Sequence, residues 1–142
     1  MALGHDVAAA PLGPPQAWNP GGPPPWNQQW IVAPTGDGYV QLVNLATSKL
    51  LDVPGSATGN GVLIQQYREN GGGNNQQWLV IPTDAGFAKI QSRATGKMLD
   101  VNGSSTEDGL PIQQWDDNGG GANQQWKLNL VGIAKAPPWL QL

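Results

Sequence analysis

An acid, an aromatic ring and a carboxamide recur in this chain at one fixed spacing. Asp52, Tyr67 and Asn75 form the first set, and Asp100, Trp115 and Asn123 stand 48 residues further on. A carboxylate accepts hydrogen bonds, a carboxamide both donates and accepts them, and an exposed ring offers an apolar plate. A neutral sugar presents donor hydroxyls and one patch of C–H groups, so this trio is the set it requires. Charge-assisted bonds from hydroxyl to carboxylate are the strong ones, which puts the weight of affinity on Asp52 and Asp100. Two structural roles compete with that reading. Each Asp could cap a turn or a strand end by bonding nearby backbone, and each ring could be core filling.

Covalent chemistry has little support. The chain has no cysteine, and His5 is its single histidine, so neither a thiolate site nor a His-based triad or zinc site is expected. A glycosidase needs two carboxylates about 5–10 Å apart across a cleft. Asp100 with Asp116 or Asp117, or Asp52 with Glu69, are the pairs to consider, but Asp116-Asp117-Asn118 and Arg68-Glu69-Asn70 read as solvated turns. The expectation is a binding protein without enzymatic activity, cofactor or metal. Ten acidic against seven basic residues and a pI near 4.7 offer no footprint for a nucleic acid. No apolar run reaches the roughly 18–20 residues of a membrane span, so membrane insertion is not expected. The N-terminus lacks the basic flank and apolar run of a signal peptide. Either an export signal was removed or there was none; an extracellular location is expected, with the cytoplasm as the alternative.

The elements that must position the trio are themselves repeated. Asn27-Gln28-Gln29-Trp30 returns as Asn75-Gln76-Gln77-Trp78 and Asn123-Gln124-Gln125-Trp126. Aligned without a gap, residues 31–78 and 79–126 are identical at 25 of 48 positions, which makes them two copies of one supersecondary unit. Within the second copy, Tyr39-Val40-Gln41-Leu42-Val43 alternates as a half-buried strand, and Lys49 to Val53 completes a hairpin across the turn at Ala46-Thr47-Ser48. Val62 to Tyr67 and Gln76 to Ile81 are predicted as third and fourth strands, separated by Asn70-Gly71-Gly72-Gly73; the third copy repeats all four over Phe87 to Leu130. With 20 glycines, 13 prolines and 12% charged residues the composition favours short strands and turns. No connection is long enough for parallel pairing. Three units that cannot bury their own apolar faces must share one core, and closing the ring removes exposed edges. The predicted fold is an all-β β-trefoil of three pseudo-repeats in one domain over residues 1–142, with Trp30, Trp78 and Trp126 filling the core. The glycine loops serve as flexible connectors or let a sugar approach the backbone.

Residues 1–30 hold seven of the prolines and read either as a degenerate first repeat or as a proline-rich tail. Residues 31–78 and 79–126 form the second and third units, and 127–142 the last strand and C-terminal segment. Trp139-Leu140-Gln141-Leu142 matches Tyr39-Val40-Gln41-Leu42, so the C-terminal strand either supplies the opening strand of the first unit, making the chain circularly permuted, or is a frayed tail.

The Gln-x-Trp repeats, the Leu-Asp-Val strands and the Ile-Gln-x-Trp/Tyr strands resemble the ricin B-chain-like, or R-type, β-trefoil lectins, specifically over residues 31–130 and loosely over 1–30. The resemblance implies a lectin or carbohydrate-binding module that takes galactose-type or related sugars, plant cell-wall sugars among them, in one shallow pocket per repeat. It assigns Asp52, Gln65, Tyr67, Asn75 and Gln76 to one pocket and Asp100, Gln113, Trp115, Asn123 and Gln124 to another. In the first copy the matching positions are Asp6, Gln16, Trp18, Asn27 and Gln28, where a shortened loop and prolines weaken the match. The competing function is a β-trefoil protease inhibitor acting through surface loops.

Overall fold

The computed structural model describes residues 28–103 and 108–129 in full, and Ser104 and the strands Ala2–Leu3, Asp6–Ala9 and Pro15–Trp18 as backbone. Twelve antiparallel strands run through these residues: β1 (Ala2–Leu3), β2 (Asp6–Ala9), β3 (Pro15–Trp18), β4 (Trp30–Pro34), β5 (Val40–Asn44), β6 (Leu50–Asp52), β7 (Gln65–Tyr67), β8 (Trp78–Pro82), β9 (Phe87–Ser92), β10 (Met98–Val101), β11 (Leu110–Trp115) and β12 (Trp126–Asn129). The period-two reading holds: along β5, Val40, Leu42 and Asn44 are buried while Gln41 and Val43 are half-buried. No helix among the described residues is long and apolar enough to cross a membrane.

Two sets of hairpins divide the work. The first set, β4–β5 and β8–β9, is linked by Val40 opposite Trp78 and continued by Ala88 opposite Trp126. Strand β12 then pairs with β1, Leu128 opposite Leu3, the register at which Val32 faces Leu42 and Val80 faces Ile90. The N-terminal residues thus occupy the place opposite β12 that the sequence offered to Trp139–Leu142, a segment outside the described residues. The second set, β2–β3, β6–β7 and β10–β11, carries the candidate site residues.

Two expected strands are divided by their hydrogen bonds. Residues 62–64 leave their own hairpin and pair with β11 of the next unit, Ile64 N–H donating to Ile112 O at 2.9 Å and Gln114 N–H to Val62 O at 2.9 Å. Only Gln65–Tyr67 stays with β6. Likewise Asn74–Gln76 forms a 3-10 turn, so the strand predicted from Gln76 begins at Trp78. The cause is local: Gln76 N–H and Gln77 N–H donate back to Gly73 O and Asn74 O, a tight turn that a strand cannot accommodate.

All three repeated tryptophans are buried, together with Leu42, Leu51, Ile64, Ile90, Leu99 and Ile112. Each such side chain contributes about 1.5–3 kcal/mol on leaving water. The indole N–H of Trp78 donates to Leu51 O at 3.0 Å, and that of Trp126 to Leu99 O at 3.2 Å. The acceptor in each case is the residue just before Asp52 or Asp100, so the core fixes the strand that carries the acid.

Candidate functional site

Asp52 ends β6 and Asp100 lies one residue from the end of β10. Both carboxylates are buried, at 2% and 3% exposure, and each is met by three amide donors. Asp52 Oδ1 accepts from Gln65 Nε2 at 2.9 Å; its Oδ2 accepts from Asn75 Nδ2 at 3.2 Å and Gln76 Nε2 at 2.9 Å. Asp100 repeats this with Gln113 at 2.9 Å, Asn123 at 3.1 Å and Gln124 at 2.9 Å. A carboxylate offers about four lone-pair sites, so roughly one remains for a ligand hydroxyl. The acid is held in one orientation before any ligand arrives.

Gln76 and Gln124 are fully buried, which changes the role the sequence suggested for them. Each donates to its Asp and to a backbone carbonyl, Arg68 O or Asp116 O at 2.8 Å, and accepts from Asn70 N–H or Asn118 N–H. They position the carboxylate and do not line the surface. Asn75 and Asn123 share their amide hydrogens between the Asp and Val53 O or Val101 O, and accept from Asn70 Nδ2 at 3.0 Å or Asn118 Nδ2 at 2.8 Å.

The glycine loops have a further, structural role. Gly73 N–H and Gly121 N–H donate to Asn70 Oδ1 and Asn118 Oδ1, wrapping the loop around one asparagine side chain. A Cβ at Gly73 would lie 2.8 Å from Asn70 Oδ1, and one at Gly121 2.6 Å from Asn118 Nδ2. Any larger residue displaces the asparagine that holds Asn75 or Asn123. These two asparagines were missed as site residues, although their identity in both copies, directly before three glycines, is a signal the sequence contains.

Above the buried acids stand the rings. Tyr67 and Trp115 are 46% and 43% exposed, so core packing does not claim them. In the third lobe Asp100, Gln113, Trp115 and Asn123 line one depression of about 170 Å³, joined by Asn102, Gly103 and Asn118. The sequence-predicted set is therefore brought together, apart from buried Gln124. Among the described residues no group of three His, Cys, Asp or Glu side chains could hold a metal ion.

The family model described as Ricin-type beta-trefoil lectin domain-like matches residues 26–115 and 74–135. The chain belongs to this family. It is thereby a carbohydrate-binding domain of a non-catalytic type. Comparison with curated proteins finds no match. Among solved structures it is similar to the designed 3-fold symmetric protein ThreeFoil, with TM-score 0.79 and 33% identity over 90% of this chain and 96% of that one. It is also similar to 1,3Gal43A, an exo-beta-1,3-galactanase from Clostridium thermocellum, with TM-score 0.76 and 36% identity over 89% of this chain but only 30% of that one. The Polyporus squamosus lectin, solved with Neu5Aca2-6Galb1-4GlcNAc, shares the fold at TM-score 0.65 and 22% identity, over 89% of this chain and 48% of that one.

Within the lectin domain the lobes brace one another. The Trp115 ring lies against Gly61 of the preceding lobe, where a Cβ would come within 3.7 Å of the ring. Beside it, Asn60 Nδ2 donates to Asp116 Oδ2 at 3.1 Å and Asp116 N–H donates to Asn60 Oδ1 at 3.0 Å, while Lys97 pairs with Asp116 Oδ1. The hydrogen bonds from Lys97 and then Asn60 hold the Asp116 carboxyl below its ordinary value of 3.8. A carboxyl depressed by folding stabilises the fold above its unfolded value, and that contribution is lost as pH falls through the lower folded value. Acid unfolding followed by tryptophan fluorescence should therefore show a weaker decline below about pH 4 in Asp116→Asn than in the parent chain.

The first lobe departs from the lectin pattern at its acid. In β6–β7 and β10–β11 the acid faces the glutamine, Asp52 opposite Gln65 and Asp100 opposite Gln113, while Leu50 and Met98 face Tyr67 and Trp115. In β2–β3, Trp18 faces Asp6 and Gln16 faces Ala8. Asp6 thus takes the register position of Leu50 and Met98, and Ala8 takes that of the acid. Of the residues expected there, Asp6 and Gln16 are thus not a facing pair as Asp52 and Gln65 are. The connection between Asp6 and Trp18 is also shorter than its counterparts, and the hairpin pairs two residues out of step with the other lobes. Gln28 is half-buried at the start of the second lobe, and Asn27 is outside the described residues.

Proposed function

We propose that this domain binds galactose-type sugars of a larger glycan through two shallow pockets, one in the second lobe and one in the third, and that it works outside the cell, where such polymers are met. The observation that carries this reading is the exposed Trp115 ring standing in one depression with the buried, three-fold hydrogen-bonded Asp100. The ring covers the C–H face of a sugar, and the carboxylate's remaining lone pair fixes one hydroxyl. Identity of 36% with part of a galactanase supports galactose as the sugar type. The depression is smaller than the roughly 300–1,000 Å³ of a drug-sized ligand site, so one sugar unit enters and the rest of the glycan stays outside.

Sites of this kind bind at about millimolar concentration, roughly 4 kcal/mol each. Two on one chain raise avidity by about a hundredfold or more when a polymer spans both. A glycan array followed by calorimetric titration tests the reading. Trp115→Ala should remove third-lobe binding, a loss of about tenfold or more for that site, while changing folding stability by less than about 1 kcal/mol because the ring is half in water. Inhibition of a protease without any glycan signal would overturn the proposal in favour of a loop-borne inhibitor.

A further inference from the structure

The two complete lobes share geometry but differ in charge beside the ring. In the third lobe Lys97 and Asp116 stand one step beyond the last pair of the β10–β11 ladder, where Met98 faces Trp115, and their side chains form an ion pair. Asp117, the next residue, pairs with Lys89 at 2.7 Å. The rim of that site is neutralised. At the matching step of β6–β7, where Leu50 faces Tyr67, the two residues are Lys49 and Arg68. Two cations stand at the positions where the third lobe has a cation and an acid.

Like charges brought close together repel one another. No acidic side chain among the described residues forms an ion pair with either. The three ion pairs found there join Lys89, Arg93 and Lys97 to Asp117, Asp37 and Asp116, and none includes Lys49 or Arg68. Glu69, the adjacent acid, turns its Oε1 to Gly71 N–H and Gly72 N–H at 2.8 and 2.9 Å, and Asp52 is taken up by its three amides. Arg68 is exposed, with its guanidinium carbon 5.7 Å from the centroid of the Tyr67 ring, the plate assigned to the sugar. A guanidinium there offers a forked set of donors suited to a carboxylate or a sulfate.

We propose that the second-lobe site takes a sugar bearing an anionic substituent, a carboxylate or a sulfate ester, held by Lys49 and Arg68 while the sugar ring lies on Tyr67, and that the third-lobe site takes a neutral sugar. This inference rests on the reading of both pockets as sugar sites. It divides one lectin domain between two ligand chemistries.

The test uses chains with one site disabled, each titrated with galactose, galacturonic acid and galactose 6-sulfate by heteronuclear NMR at low ionic strength. The Trp115→Ala chain keeps the second-lobe site, and it should bind at least one of the two acids about three- to tenfold more tightly than galactose. Whichever acid binds more tightly identifies the group. That advantage should shrink at about 1 M salt, where the screening length falls to roughly 3 Å, and should vanish when Arg68→Asp is added. The Tyr67→Ala chain, left with the third-lobe site, should bind the acids no better than galactose. Equal affinity for galactose and both acids in the Trp115→Ala chain would overturn the inference and leave the sugar-site reading standing. Absence of binding by any of the three sugars to the parent chain would instead remove the sugar-site reading, and this inference with it. Arg68 is exposed, so the Arg68→Asp chain should fold, and it gives Lys49 the acidic partner that Lys97 already has.

Discussion

Asp100→Ala should cost about 3–5 kcal/mol of folding stability and silence the third-lobe site, a far larger effect than any change at the exposed ring. The carboxylate is the acceptor for Gln113, Asn123 and Gln124, and its removal leaves three amide donors facing an empty space in a buried place. Leaving one buried donor unmet costs about 1–3 kcal/mol, and water entering the gap recovers part of the total. Urea denaturation measures the loss directly. Asp100→Asn should fall between the parent and Asp100→Ala, because one amide oxygen still accepts while the new N–H₂ group points at other donors. A midpoint unchanged in Asp100→Ala would mean that the three amides find other partners, and the orientation argument for the acid would fail. The double variant Asp52→Ala, Asp100→Ala is a poor probe of binding for the same reason. Two such losses approach the whole stability of a domain, about 5–15 kcal/mol, so binding and folding would be lost together.

Trp126→Ala should be comparably severe, at about 3–5 kcal/mol, because the side chain is wholly buried in the shared core and its loss leaves a cavity. It also removes the donor to Leu99 O, on the residue before Asp100. The expected signature is two-part: a lower thermal midpoint, and weakened sugar binding at the third lobe with the second lobe less affected. Trp126→Phe should retain more of the stability but not the hydrogen bond. If Trp126→Ala left third-lobe affinity untouched in the folded fraction, the link from core to acid through Leu99 would be refuted.

The repeat made most of this architecture readable. Three copies of Asn-Gln-Gln-Trp imposed a shared core, and Trp30, Trp78 and Trp126 are indeed its largest buried side chains. For Tyr67 and Trp115 the sequence left core packing open beside ligand contact, although one tryptophan per lobe was already assigned to the interior, and their exposure decides against the core. What could not be read was the direction of the amides. Gln76 and Gln124 sit beside Asn75 and Asn123 in sequence, and only the 3-10 turns show that the glutamine points inward to the acid while the asparagine lies at the rim. The break between residues 62–64 and β7 was equally hidden, because alternation along a strand does not say which neighbour it pairs with. In the first lobe Asp6 looked like the counterpart of Asp52 by its place before a valine; register is a property of the hairpin, and the hairpin had lost residues.

The alanine at that register position has a consequence for how the molecule joins its targets. A trefoil with three working sites is a branching unit, able to tie three strands of a glycan at one node. On the proposed reading, with Ala8 at the register position of the acid, the two complete lobes give a valence of two. Mixed with a divalent oligosaccharide, such a unit extends linear chains and does not build a branched lattice, so light scattering should rise gradually with added ligand and show no gel point.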